Sequence, residues 1–328
     1  IPIKIQFCNE ASFINTLFKT TAHPKHLHAT LKNGKSLASI LQEKVYSSEQ
    51  DIYADAGMGY VEPEIREGSF EIDLAQDKKL PQLIEMADLK GVLHNHSTYS
   101  DGKHTLRQMA EHCRDLGYEY LGISDHSQTA VYASGLKDFT VKEQQEEIEA
   151  LNKELAPFKI FSGIESDILA DGSLDYPDDI LQSFDFIVAS VHAGLTMDVT
   201  KATNRLLTAI KNPHTTILGH MTGRLILERQ GYPVDHKAII DACAEHQVVI
   251  EINASPYRLD MDWRWVQYAI EKGVMLSINP DAHHMDGYND MYYGVLAARK
   301  GGLTKVMNLN SKSLSEIESY FSQKKSKA

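Results

Sequence analysis

Nine side chains able to bind cations recur at one kind of place in this sequence, just after a short apolar run. His94 and His96 follow the run Leu89–Leu93, and Asp101 comes five residues after His96. His126 follows Tyr120–Ser124, Glu165 follows Ile160–Ile164, and His192 follows Phe186–Val191. His220 follows Thr216–Gly219, and Asp281 and His283 follow Met275–Ile278. A mononuclear site needs three or four ligands, so six imidazoles and three carboxylates imply two or three ions. Mixed nitrogen and oxygen donors suit Zn, Mn or Fe and disfavour Ca or Mg. Clustered divalent ions lower the pKa of water toward neutrality and clamp phosphate oxygens during in-line attack. Phosphoester hydrolysis uses both effects, whereas amide hydrolysis manages with fewer ions. A single His at a strand end is ordinarily a hydrogen-bonded core-edge residue, but six at one topological position make coincidence a poor explanation.

Other residues near these positions have two readings each. Arg224 and Arg258 follow the fifth and sixth apolar runs, where a guanidinium would hold a phosphate and act in catalysis. The alternative is a salt bridge to a loop carboxylate. Tyr99, Tyr132 and Tyr257 either stack on a base or cover the rim. Asn253, in Glu251-Ile252-Asn253, offers a hydrogen bond to substrate or to a ligand. Asp125 precedes His126 and points to the opposite face, which gives it a supporting role. His23, His26 and His28 are badly spaced for one helix or strand face, so packing is their expected role.

The elements that must carry these residues follow from periodicity. Seven apolar runs, the seventh at Met275–Ile278 and the sixth at Val248–Ile252, alternate with helix-period segments. Examples are Leu106, Met109, Ala110 and Cys113, and later Val141, Ile148, Leu151 and Leu155. Alternating strands and helices predict an α/β fold with a parallel sheet. Polar residues after nearly every strand favour a closed barrel, whose strand ends share one mouth, over an open sheet with a single switch point. His94 and His96 are expected at the end of a strand, facing the same way because side chains alternate with period 2.

Residues 1–70 read as a separate small α/β unit: a strand over Ile1–Phe7, helices near Ser12–Phe18, Lys35–Leu41 and Ser48–Ala56, and a weak core. Residues 71–88 read as an acidic linker, and 89–328 as the barrel domain. Net charge is −12, which argues against nucleic-acid binding, yet residues 1–40 carry five lysines, Lys19 and Lys25 among them, against Glu10 alone. Three scattered cysteines in no metal or disulfide pattern point to a reducing cytoplasm. No apolar run approaches the ~18 residues of a membrane span.

The ordered phrases His94-x-His96, Ser100-Asp101-Gly102, Ser124-Asp125-His126, Gly163-x-Glu165, Ser190-Val191-His192, Gly219-His220 and Asp281-Ala282-His283 resemble the polymerase and histidinol phosphatase (PHP) superfamily from about Leu89 to Phe321. That resemblance implies a distorted seven-stranded (β/α)7 barrel with three divalent metals per chain. His94, His96, Glu165 and Asp281 would hold one ion. Glu165, as a bridge, would hold the second with His192 and His220. Asp101, His126 and His283 would hold the third. Leu174-Asp175-Tyr176-Pro177, Thr222-Gly223-Arg224, Arg258-Leu259-Asp260 and Ala297-Ala298-Arg299-Lys300-Gly301 are similar to the PHP domain of bacterial family X DNA polymerases. Tyr60-Val61-x-Pro63-Glu64-Ile65-Arg66-Glu67 resembles the end of that family's palm and its thumb.

The closer resemblance implies a manganese-dependent 3′–5′ exonuclease that processes DNA 3′ ends in repair. Tyr99, Asn253, Lys19 and Lys25 would contact the DNA, single-stranded or gapped. Lys4 stands where the palm strand of that family presents a metal-binding Asp, and Phe18-Lys19-Thr20-Thr21 where it has Phe-Thr-Gly. Nucleotide transfer needs carboxylates to hold Mg²⁺, so polymerase activity is not expected from this chain. The competing functions are a small-molecule phosphatase of the histidinol phosphatase type and a non-catalytic DNA-binding scaffold.

Overall fold

The computed structural model describes residues 3–327, which divide into two compact units, Ile1–Gln82 and Leu83–Ala328. Among the described residues no helix is long and apolar enough to cross a membrane.

The first unit is helical: α1 (Phe13–Thr21), α2 (Pro24–His28), α3 (Leu37–Glu43), α4 (Glu49–Asp55) and α5 (Glu71–Gln76). Ser36 and Ser48 cap α3 and α4 by accepting from the N–H groups of Ser39 and Asp51. The expected strand over Ile1–Phe7 is not formed across the described residues 3–7, which have no ladder partner. Its first two positions lie outside the described residues. The expected linker also differs, since α5 belongs to this unit and buries Glu71 and Ile72.

The core of this unit is fuller than its composition suggests, because one cation is built into it. Arg66 is 1% exposed. Its guanidinium forks onto Glu49 with two 2.8 Å bonds and lies 4.8 Å from the Phe18 ring centroid. Aromatic faces and a paired carboxylate together stabilise that buried charge.

In the second unit seven parallel strands pair strictly in sequence order: β1 (Gly91–Val92), β2 (Tyr120–Ile123), β3 (Lys159–Asp167), β4 (Phe186–Ser190), β5 (Ile217–Leu218), β6 (Val249–Asn253) and β7 (Leu276–Asn279). The outer helices are α6 (Leu106–Asp115), α7 (Asp138–Glu154), α8 (Asp178–Leu181), α9 (Val199–Lys211), α10 (His236–His246), α11 (Val266–Glu271) and α12 (Met291–Lys300). Sheet and helices enclose one apolar layer that includes Val92, Leu121, Ile164, Ile250 and Ile278. The strands are buried on both faces, as parallel strands covered by helices are.

Between β7 and β1 the ladder is replaced by two devices. At one end Asn310 is wedged into the gap, accepting from Ile278 N–H at 2.8 Å and donating to Gly91 O at 3.3 Å. At the other, Asn95 and Ala282 form an isolated parallel bridge, with His96 N–H donating to Ala282 O at 2.9 Å. The barrel is therefore nearly closed and distorted at this seam.

A final helix, α13 (Leu314–Lys325), plugs the barrel at the amino ends of the strands. Phe321 sits 5.1 Å from Phe161 and 5.2 Å from Phe186 among Leu93, Tyr120, Val188, Ile217 and Val249. The interior is thus filled from below with side chains, and its polar content gathers at the opposite, carboxyl-terminal mouth.

Candidate metal centre

Strand β3 runs further than its apolar run because Glu165–Asp167 continues the ladder with Val188–Ser190 of β4 while Glu165 bridges His126. That extension places Glu165 at the centre of the mouth, 1% exposed. Its Oε1 lies 3.1 Å from His94 Nε2, 3.2 Å from His192 Nε2 and 3.0 Å from His220 Nε2. Its Oε2 lies 2.9 Å from His126 Nδ1 and 3.7 Å from His96 Nε2. Asp281 Oδ1 lies 3.1 Å from His96 Nε2 and 3.5 Å from His94 Nε2. Asp101 Oδ1 lies 3.3 Å from His283 Nε2 and 3.7 Å from His126 Nε2.

All nine side chains therefore converge. They fall into four overlapping groups whose donor atoms lie within 4.8 Å of one another. The groups are His94, Glu165 and His220; His94, His96 and Asp281; His126, Glu165 and His192; and His96, Asp101, His126 and His283.

His94 and His96 converge for a different reason from the one read in the sequence. The strand stops at Val92, and His94 takes a left-handed conformation with φ +66°. His220 (φ +31°) and Asp281 (φ +53°) do the same after their own strands. A non-glycine residue in that region costs about 1–3 kcal/mol and persists where its surroundings hold it there. Three such residues in one centre mean that backbone turns, not strand pleat, aim these donors inward. Gly219 serves the same purpose by being small: a Cβ on it would fall 2.0 Å from Ser190 Oγ.

A set of carboxylates around His94 and His192 fixes which imidazole atom faces inward. Both oxygens of Glu251 lie 3.0 Å from His94 Nδ1, so Nδ1 carries the proton and Nε2 is left as the donor atom. Glu251 also accepts from His220 N–H at 3.1 Å. Asp167 accepts from His192 Nδ1 in the same way. Asp125, fully buried, accepts from Ser97 and Gln144 and ties down the loop that carries Asp101.

Glu251 and Asp167 were not singled out in the sequence. Their signal was period two: Asp167 is two residues after Glu165, and Glu251 is two before Asn253, on the same inward faces.

The protonation pattern without cations follows from crowding. Burial opposes a charge on His94, but Glu251, Glu165 and Asp281 outweigh it and hold its pKa well above the usual value. Burial is likewise overcome at His192, raised to about 10 by Glu165 and Asp167, and at His283, raised to about 9 by Asp101 and Asp281. His96 goes the other way, held down to about 3 by burial and by the neighbouring His283 and His126. Burial raises the Glu165 carboxyl, and the His192, His94 and His126 imidazoles more than reverse that.

This arrangement fits divalent cations. Both Glu165 oxygens, His94 Nε2, His126 Nδ1 and both ring nitrogens of His220 are buried with no hydrogen-bond partner. Leaving such atoms unsatisfied costs about 1–3 kcal/mol each, and ions among them would supply the missing partner. Nitrogen and carboxylate donors together match Zn, Mn or Fe.

The remaining sequence candidates are placed as follows. Arg224 gives its guanidinium to Arg258 O at 2.8 Å, Asp262 Oδ2 at 2.9 Å and Leu259 O, so it ties two mouth loops together. Arg258 Nε lies 3.5 Å from Asp281 Oδ2, facing the centre. Asn253 donates to Asp281 Oδ2 at 3.1 Å and orients that carboxylate. Tyr99 turns away and donates to Glu147 at 2.7 Å on α7. Tyr132 is 70% exposed, its ring 6.0 Å from that of His126. Lys19 and Lys25 lie exposed on the first unit, on α1 and α2.

Comparison with known proteins defines the class first. Residues 93–255 match the PHP domain, so this stretch of the chain is a domain of that class. Among individual proteins, the chain is 43% identical over 277 residues to the DNA polymerase/3′-5′ exonuclease PolX of Bacillus subtilis (strain 168). The match covers 84% of this chain and 48% of that protein, so the chain spans about half the length of this relative. It is 26% identical over 253 residues to a probable phosphatase of Thermoanaerobacter sp. (strain X514), covering 73% of this chain and 98% of that one. The fold is similar to that of histidinol phosphate phosphatase from Lactococcus lactis subsp. lactis Il1403, solved with zinc, L-histidinol and phosphate. That likeness has a TM-score of 0.52 and 18% identity over 66% of this chain and 94% of the other.

Proposed function

We propose that this chain is a metal-dependent phosphodiesterase that removes nucleotides from DNA 3′ ends in the cytoplasm, as part of end processing in repair. The observation that carries the reading is Glu165, a buried carboxylate facing five imidazoles without a hydrogen bond to any of them. In the proposal the nine converging side chains hold three divalent ions, manganese, zinc or iron. When bound, such ions supply Lewis acidity toward phosphate oxygens and lower the pKa of water. Glu251 and Asp167 keep His94 and His192 in the tautomer that presents Nε2. Arg258, beside Asp281, takes a non-bridging oxygen of the phosphate, and Arg224 positions Arg258 through its carbonyl. Lys19 and Lys25, in the basic segment 1–40, contact the DNA backbone.

DNA as substrate is supported by the similarity to a protein named as a DNA polymerase/3′-5′ exonuclease. A second reading, phosphomonoester hydrolysis, is supported by the match across nearly the whole of a probable phosphatase. Metal-reconstituted protein offered 3′-labelled single-stranded DNA, histidinol phosphate and a generic phosphomonoester separates them. The expected result is mononucleotide release from DNA, abolished by His126→Ala; hydrolysis of the monoesters alone would establish the second reading. Primer extension with Mg²⁺ should yield no product, since Lys4 cannot ligate a cation.

A further inference from the structure

Beside Asp167 and Ala193, the loops that follow β2, β3 and β4 and the first two turns of α9 line a cavity of about 220 Å³. Its walls come from Ile168, Leu169, Ala170 and Ala193 and are apolar. Arg205 lines it and cannot swing free, because its guanidinium bonds the carbonyls of Leu169 (2.8 Å), Ala193 (2.8 Å) and Ile168. The inner end is polar. Thr129 Oγ1 donates to the Asp167 and Asp175 carboxylates, and Asp167 is the group that holds His192 Nδ1. The cavity thus shares a residue with the metal centre.

Lys201 stands on the rim and is exposed. Among the described residues its ammonium has no carboxylate within ion-pair distance. It lies in the first turn of α9, where the helix dipole disfavours a cation. No carboxylate among the described residues neutralises this ammonium, so it is free to meet an anion arriving from solvent.

The cavity is smaller than the ~300–1,000 Å³ of sites for whole drug-sized ligands, so it suits a fragment of a larger substrate. A flat heterocycle beside apolar side chains and a fixed guanidinium, joined to a phosphate, matches its parts. We infer that this cavity receives the base of the terminal nucleotide while Lys201 holds an adjoining phosphate, so that the enzyme selects nucleoside-bearing phosphodiesters over simple alkyl ones. The inference rests on the phosphodiesterase reading above and names what that site recognises.

The test compares two chromogenic diesters, thymidine 5′-(p-nitrophenyl phosphate) and methyl p-nitrophenyl phosphate, on the metal-loaded chain. Ala170→Trp, which fills the cavity, and Lys201→Gln should each lower kcat/KM for the nucleoside diester by about tenfold or more, the scale of one lost base contact. The methyl diester should be cleaved at the wild-type rate by both variants. Equal loss on both diesters, or no loss on either, would overturn the inference.

Binding of thymidine 5′-monophosphate to wild type and variants in the presence of a chelator is measured alongside. Wild type should bind it and both variants more weakly. If neither diester is cleaved but this binding pattern holds, the phosphodiesterase reading fails and the cavity assignment stands. Equal or absent binding by all three proteins would sink the cavity assignment whatever the hydrolysis shows.

Discussion

Each unit of this molecule has a fully buried histidine next to a buried glutamate, and the two pairs end differently. In the first unit, His26 Nδ1 lies 2.7 Å from Glu71 Oε1 and its Nε2 lies 2.9 Å from Tyr53 Oη. Glu71 accepts two further bonds, from the N–H groups of Gly68 (2.6 Å) and Ser69 (2.8 Å). Every polar atom of that network has a partner. In the second unit, His94 gives Nδ1 to Glu251 and leaves Nε2 facing Glu165 with no hydrogen bond between them. The first arrangement is complete as protein alone, and the second is complete when cations lie among its donors. Burial does not separate a structural histidine from a ligand; the unpartnered nitrogen and the other donors facing it do.

The sharpest way to break this comparison is to remove the hub. Glu165→Gln should lower hydrolysis and metal content by more than the ~10–100-fold typical of losing an outer partner. Metal analysis of the purified variant and its initial rate check this; a variant that keeps both would place the chemistry elsewhere. Next in size is Glu251→Gln, or Asp167→Asn, each expected to reduce metal affinity or rate by about 10- to 100-fold, because the imidazole loses the acceptor that fixes its tautomer. A metal titration followed by activity reads the effect.

On the other side of the comparison, His26→Ala should destabilise the first unit by about 1–3 kcal/mol through the buried Glu71 and Tyr53 groups it strands. Denaturant titration measures that, and hydrolysis of a small phosphodiester should be unchanged. The smallest effect is on pH. Burial raises the Glu71 carboxyl, but its bonds from His26, Ser69 and Gly68 hold it below the ordinary carboxylate value. A depressed folded-state pKa gives stability that is complete above the unfolded carboxylate pKa and is lost as pH falls through the lower folded value. Unfolding of the first unit monitored at neutral and acidic pH should show that loss, and Glu71→Gln should flatten it.

Much of the barrel was legible because its strands are short, apolar and regularly spaced, and each ends in a polar residue with little other reason to be there. The first unit was read less well. Its opening residues alternate like a strand, but alternation forms no strand without a neighbour to pair with, and residues 3–7 have none. Its core looked thin because Arg66 counts as a charge in any composition, although here it packs against Phe18, Tyr53 and Tyr60. The convergence of the nine donors was legible from their position after strands. The left-handed turns at His94, His220 and Asp281 were not, since no local signal marks a strained residue held by its surroundings. Arg224 shows the limit of reading loops: a guanidinium at a mouth looks the same in sequence whether it holds substrate or two loop carbonyls.

The most direct measurement is an anomalous difference map from a crystal of this chain loaded with manganese. The account predicts separate peaks within coordination distance of Glu165, His94, His192 and His220, and of Asp101, His126 and His283. An empty centre in a protein that still cleaves phosphodiesters, or ions bound only elsewhere, would contradict it.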